Sequence, residues 1–182
     1  MSLTQVSTIS ESSTTVSREY QPLALTEKQK GLIEKTWKIV EEDIGMLKGG
    51  ILLFMRIFEL CPPALKLFKK FSDIPNEQLP ENEDLQSHGL QVMETVALAV
   101  SSLNNTEELV VVLRELGGAH GSHNLQQAHF DLVGQSLLWT LEQGLGKEFT
   151  AEVKAAWIAM YGLVATEMKE GLQEYKEFSD SL

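Results

Sequence analysis

Apolar side chains recur at intervals of three and four residues along almost the whole chain, and this spacing constrains the fold more than any other feature. The first such stretch carries Ile33, Trp37, Val40 and Ile44. The interval places apolar groups on one face of an α-helix. No segment alternates strictly between apolar and polar residues, as a half-buried β-strand does. We therefore expect an all-α fold.

Start and stop signals divide this pattern into seven to eight helices. Thr26, followed three residues later by a glutamine, is typical of a capping box, and Thr106 and Thr150 are candidate N-caps of later helices. The proline pair that begins at Pro62 predicts the start of a short helix, because a missing N–H is harmless in a first turn. Residues 69–81 contain two prolines and predict a loop.

The chain has 182 residues, enough for one domain with a substantial core. Residues 1–24 are rich in Ser and Thr and predict a flexible extension. The helical pattern predicts one folded domain over residues 25–173 and a C-terminal tail over residues 174–182. The first residues show no basic segment followed by an apolar one, and residue 2 is serine. We therefore expect no secretory signal and no membrane anchoring by myristoylation.

Charge and cysteine content limit the partners and the compartment. Fifteen basic and twenty-six acidic residues give a formal net charge of −11, which repels nucleic acid and anionic membranes. Cys61 is the one cysteine of the sequence, so no disulfide can form within the chain. This favours a reducing, cytoplasmic location. Either Cys61 is a small buried thiol or it pairs between chains, and both alternatives stay open.

Two histidines, His88 and His120, lie on the apolar faces of different predicted helices. A buried imidazole costs free energy unless its nitrogens find partners. Each is either a core histidine bonded to the backbone, or one of two imidazoles that grip a flat metal macrocycle. Nearby glycines, Gly89 and Gly117 among them, allow a planar ligand or another helix to approach the backbone closely.

Other metal sites and catalytic motifs find little support in the sequence. A zinc site needs cysteines or a tight His and Glu set, and a di-iron bundle needs two Glu-x-x-His pairs. Neither pattern is completed here, so we expect His123 and His129 to lie at the surface or in an interface. The sequence also lacks a nucleophile elbow, a phosphate-binding loop and a dinucleotide fingerprint.

Four motifs carry a resemblance to a known family: LFMRIFELCPPALKLF (53–68), LQSHGLQVM (85–93), LGGAHGSH (116–123) and VGQSLLWTLEQGLGKEFTAEVKAAWIAMYG (133–162). They resemble the globins, and within that family the neuroglobins, over about residues 25 to 170. The N-terminal extension is similar to that of globin X. One departure is Gln91, which stands where globins often carry a basic partner for a haem propionate.

The resemblance implies a globin fold around a pocket for haem b (iron protoporphyrin IX). It implies His120 as the proximal iron ligand and His88 as the distal residue. Six further residues are implied to line the pocket: Phe54, Phe68, Val92, Phe130, Val133 and Tyr161. Plain core packing at helical spacing also accounts for Phe54 and for the three residues from the last two helices.

The function that the resemblance implies is reversible binding of O2, CO, NO or other small ligands, oxygen transport, or a role in redox chemistry or sensing. His88 either hydrogen-bonds a gas ligand or coordinates the iron itself, and the resemblance favours six-coordination. One alternative is a haem enzyme, such as a nitrite reductase or NO dioxygenase, that depends on an external electron-transfer reductant. Another is a haem-free helical interaction module. We expect a monomer or weak dimer.

Overall fold

The chain is described by a computed structural model that covers residues 25–123 and 125–182. Six α-helices follow one another along it: α1 (Glu27–Ile39), α2 (Met46–Leu60), α3 (Glu83–Ser101), α4 (Thr106–Ala119), α5 (Gln127–Leu145) and α6 (Ala151–Asp180). A π-helix follows α1 at Val40–Ile44. Short 3-10 helices occur at Pro62–Leu67, Leu79–Glu81, His120–His123 and Gly146–Glu148.

The predicted all-α fold is confirmed, and the described residues contain no β-strand. Together with the 3-10 helix that begins at Pro62, the α-helices make the seven expected helical segments. The boundary expected at residue 173 lies inside α6, which continues to Asp180. The extension expected at residues 1–24 lies outside the described residues. Within the described part, no helix combines the length and apolar character needed to cross a membrane.

Side-chain caps fix several helix boundaries. The predicted capping box at Thr26 is present, and the Thr150 hydroxyl accepts a hydrogen bond from the backbone N–H of Val153. Asn82 caps α3 in the same way. The prediction that Thr106 is an N-cap is wrong. Thr106 is already helical, and Asn105 before it caps α4 without a side-chain hydrogen bond.

A buried hydrogen bond ties the first helix to the last. The indole Nε1 of Trp157 donates to Thr36 Oγ1 at 2.9 Å, and that hydroxyl donates in turn to the carbonyl of Leu32. Trp157 is fully buried and its ring lies 6.0 Å from that of Trp37. Because both polar groups find partners, this large aromatic side chain is buried without leaving an unpaired N–H.

Glycines allow two helix pairs to approach at backbone distance. α2 crosses α3 where Gly50 meets Gly89, and a Cβ atom on Gly50 would overlap the Gly89 backbone. α4 meets α6 where Gly117 lies on the backbone of Met168 and Gly171 lies on that of Arg114. Of the two explanations offered for Gly89 and Gly117, close helix packing is therefore the one that the structure supports.

We predict that Gly50→Ala lowers the free energy of unfolding by about 1–3 kcal/mol, the usual cost of forcing extra volume into a packed contact. Gly31→Ala is the matched control, because a Cβ there meets no atom within 4 Å. It should raise stability by about 0.5–1 kcal/mol through the better helix propensity of alanine. Urea unfolding measures both changes, and equal effects of the two substitutions would contradict the assigned crossing.

Candidate functional site

A cavity of about 190 Å³ lies among α2, α3, α5, α6 and the end of α4. Its walls are overwhelmingly apolar. The structure brings all eight predicted site residues to this one cavity: Phe54, Phe68, His88, Val92, His120, Phe130, Val133 and Tyr161. Residues that lie up to 107 positions apart in the sequence, from Phe54 to Tyr161, thus share one lining.

His120 is the residue that caps the C-terminus of α4, and it is partly buried. Its Nδ1 lies 2.6 Å from the carbonyl oxygen of Leu116, one turn earlier. A carbonyl oxygen only accepts hydrogen bonds, so Nδ1 must carry the proton. In the neutral ring the other nitrogen, Nε2, then keeps a free lone pair, which is the state that a metal requires.

His88 lies on α3 beside two phenylalanine rings. The imidazole centroid is 5.1 Å from the ring of Phe54 and 5.5 Å from that of Phe68. Burial lowers the pKa of His88 from its usual value, and an interaction with the Gln91 side chain opposes this shift. The positive charges that His120 and His123 carry when protonated lower it further. The surroundings therefore favour a neutral imidazole with a lone pair available.

The wall around His88 is a cluster of phenylalanines. Phe54 and Phe58 come from α2, and Phe68 and Phe71 follow the 3-10 helix that begins at Pro62. The Phe68 ring packs edge-on against Phe54 at 5.5 Å and stacks on Phe71 at 5.1 Å. These rings keep the surroundings of His88 apolar, and they limit the directions in which its side chain can turn.

Tyr161 forms the wall where α5 meets α6. Its hydroxyl donates a hydrogen bond to the carbonyl oxygen of Phe130 at 2.5 Å. Burial is the main cause that raises the pKa of Tyr161 far above its usual value, so the hydroxyl remains protonated. Gly134 gives the ring its space, because a Cβ there would overlap the ring atoms of Tyr161. This contact fixes Phe130 and Tyr161 relative to each other.

Sequence reasoning did not predict the polar residues His129 and Thr95 of the lining. His129 was expected at the surface or in an interface, yet it is half-buried and lines the cavity. Its Nδ1 accepts a hydrogen bond from the backbone N–H of Gln126 at 3.0 Å, which places the ring at the start of α5. Its position directly before Phe130 was the available signal. Gln91 and Thr95 of α3 also line the cavity.

The lining fits a metal macrocycle better than a bare ion. Two imidazoles from separate helical segments line an apolar space. The Leu116 hydrogen bond leaves Nε2 as the free nitrogen of a neutral His120, and burial favours the neutral form of His88. Among residues 25–123 and 125–182, no three His, Cys, Asp or Glu side chains cluster closely enough to hold a metal ion alone. A macrocycle supplies the remaining ligands itself and fills apolar space with its flat faces.

Comparison with known proteins agrees with this assignment. A family model described as Globin matches residues 51–168. Neuroglobin of Danio rerio is 39% identical over 152 residues, which cover 81% of this chain and 92% of that protein. Anaerobic nitrite reductase AHB2 of Arabidopsis thaliana is 32% identical over 156 residues, which cover 81% of this chain and 96% of the relative.

A solved structure shares the fold. It is the crystal structure, at pH 4, of a hexacoordinated heme protein from an anhydrobiotic tardigrade. The TM-score is 0.78 at 21% sequence identity, and the match covers 83% of this chain and 97% of that one. At this identity the likeness shows a common arrangement of helices.

We predict that Tyr161→Phe lowers the free energy of unfolding by about 0.5–1.5 kcal/mol, the net value of one hydrogen bond. Tyr175→Phe is the control, because the Tyr175 hydroxyl makes no hydrogen bond within residues 25–123 and 125–182 and the residue is 39% exposed. Urea unfolding monitored by circular dichroism compares the two. Equal losses in both variants would show that the Tyr161 hydroxyl does not stabilise the cavity wall.

Proposed function

The chain belongs to the globin family, and from that premise we propose that it holds one haem b between His120 and His88. The observation that carries this proposal is the hydrogen bond between His120 Nδ1 and the Leu116 carbonyl. It leaves Nε2 as the ring nitrogen able to bind iron. Membership of the globin family supports binding of a haem and of small gaseous ligands. That the haem is haem b, and which gases bind, is our proposal.

When bound, the haem supplies an iron centre that takes up a diatomic gas such as O2, CO or NO and changes between ferrous and ferric states. The residues of the chain determine how that centre behaves. The apolar side chains around the cavity exclude water. The hydrogen bond to the Leu116 carbonyl keeps the imidazole of His120, the proximal residue, in one tautomer. Six residues would form the walls against which the flat faces and the edges of the haem pack: Phe54, Phe68, Val92, Phe130, Val133 and Tyr161.

We propose that His88 coordinates the iron when no external ligand is present. Its lowered pKa and its position beside two phenylalanine rings both favour a neutral imidazole at the cavity. An external ligand would then bind only after the His88 side chain had left the iron. If His88 were absent from the iron in about 1% of molecules, apparent gas affinity would fall about 100-fold. Such a protein suits redox chemistry or sensing better than oxygen transport.

A haem enzyme is the second candidate. The identity of 32% with a plant protein named as an anaerobic nitrite reductase favours this alternative over other enzymes. Nitrite reduction or NO dioxygenation by this chain would require an electron-transfer reductant from outside. Repeated turnover of nitrite in the presence of a chemical reductant would support the enzyme, and reaction limited to one equivalent would support gas binding.

We further propose a cytoplasmic protein that is a monomer or weak dimer. A single cysteine suits a reducing compartment, and Cys61 is a free thiol with intermediate exposure. The net charge of −11 opposes tight self-association and binding to nucleic acid.

We predict that His120→Ala weakens haem binding by more than about 100-fold, because even the loss of a partner that only orients a metal ligand costs roughly 10–100-fold. His123→Ala is the matched control, since that histidine is exposed and lies three residues further along the same 3-10 helix. Titration of the haem-free variants with haem, followed at the Soret band, measures the change. Unaltered affinity and spectrum in His120→Ala would refute the proximal assignment.

A further inference from the structure

The last turns of α6 contact the chain just after His120 at two points. The ring of Tyr175 packs on Gly121, the residue after His120, where a Cβ atom would overlap the ring. The Nζ of Lys176 donates a hydrogen bond to the carbonyl oxygen of Leu125 at 3.0 Å. Both residues belong to the stretch 174–182 that the sequence predicted as a tail.

The segment that carries His120 has little rigidity of its own. α4 ends at Ala119, and residues 120–123 form a 3-10 helix, whose hydrogen bonds have poorer geometry than those of an α-helix. Gly117, Gly118 and Gly121 lie within four residues of one another. Glycine weakens a helix because it has more backbone freedom to lose than any other residue. The position of His120 must therefore depend on contacts with another element.

An ion pair anchors the same two helices at Arg114, before the segment that carries His120. Arg114 Nε of α4 lies 2.8 Å from Glu167 Oε2 of α6, and the Glu167 side chain is 1% exposed. Arg114 also reaches Glu174, at 3.5 Å. A buried carboxylate needs such a partner, so this pair holds α4 and α6 in one register. The contact of Gly117 with the Met168 backbone continues this register up to three residues before His120. On the other side of the histidine, Tyr175 and Lys176 make the contacts from α6.

We propose that Tyr175 and Lys176 are positioning residues for His120, which hold the 3-10 helix at residues 120–123 and the backbone of Leu125 and thereby set the direction of the imidazole. The inference rests on the proposed function, because it takes His120 as the iron ligand. The two residues act at different points. Tyr175 supports the backbone directly after the histidine, and Lys176 holds the entry to α5. The end of α6 thus controls how firmly the iron is held on its proximal side.

The test uses the full-length, haem-loaded protein. Tyr175→Ala removes the ring from Gly121, and Lys176→Met removes the ammonium group while keeping the length of the side chain. Haem dissociation should become roughly 10-fold faster in each variant, the effect typical of losing a partner that orients a metal ligand. Tyr175→Phe keeps the ring and should behave as the wild type. Phe178→Ala, in the same helix at a side chain 66% exposed, is the control.

A spectroscopic measurement separates positioning of His120 from general stability. In a His88→Leu background, resonance Raman spectra of the ferrous protein report the stretching vibration of the bond between the iron and the proximal histidine. Tyr175→Ala and Lys176→Met should shift or broaden this band, and Phe178→Ala should not. If Phe178→Ala lowers stability and leaves the band in place, loss of stability alone does not explain a shift of the band in the other two variants.

A double-mutant cycle that enlarges one side chain and shortens the other tests the contact between Tyr175 and Gly121. Gly121→Ala places a methyl group where the ring lies, so it should accelerate haem loss and shift the same band. In the double variant with Tyr175→Ala the methyl group gains space. The combined effect on haem loss and on the band should therefore be smaller than the sum of the effects of the two single substitutions. Strict additivity would contradict the contact.

The outcomes distinguish this inference from the proposed function. If Tyr175→Ala and Lys176→Met leave both the haem dissociation rate and the iron–histidine band unchanged, the positioning role is overturned while His120 remains the ligand. If the band persists in His120→Ala, the proposed function itself fails. Should Tyr175→Ala not fold, Lys176→Met and Gly121→Ala still decide the question by the same two measurements.

Discussion

The hydrogen bond from His120 to the carbonyl of Leu116 is the interaction on which the functional account depends. An imidazole in an apolar cavity is costly when its nitrogens lack partners, and this bond satisfies one nitrogen with the backbone of its own helix. The same bond fixes the tautomer and leaves the second nitrogen free. The interaction that reduces the cost of burial therefore also prepares the ring to bind a metal.

The surrounding fold keeps the two histidines in place through close helix contacts. α2 and α3 meet at Gly50 and Gly89, the residue after His88, and α4 and α6 meet at Gly117, three residues before His120. Each histidine thus lies beside a point where two backbones touch. Since packed interiors deform little, such contacts fix the positions of side chains more firmly than helix propensity does. The ion pair of Arg114 with Glu167 adds a polar anchor to the second contact.

Much of this arrangement could be predicted from the sequence, because local signals determine it. The spacing of apolar residues predicted the all-α fold, whereas the set of residues that share the cavity was implied by the resemblance to globins. Features that depend on tertiary packing could not be found in this way. The sequence gives no sign that α6 continues past residue 173 and packs on Gly121. For His129, its place next to Phe130 was a signal too weak to show that the ring lines the cavity. The candidate N-cap at Thr106 was wrong because α4 begins one residue earlier than a threonine cap requires.

The absorption spectrum of the ferrous protein without external ligand tests the central claim most directly. Haem-loaded wild type, reduced under argon, should show sharp and well separated α and β bands, because two imidazoles bind the iron. In His88→Leu these bands should merge into one broad band, because a single imidazole remains. A broad band in the wild type that His88→Leu leaves unchanged would contradict the account and leave His88 as a residue that faces the iron without binding it.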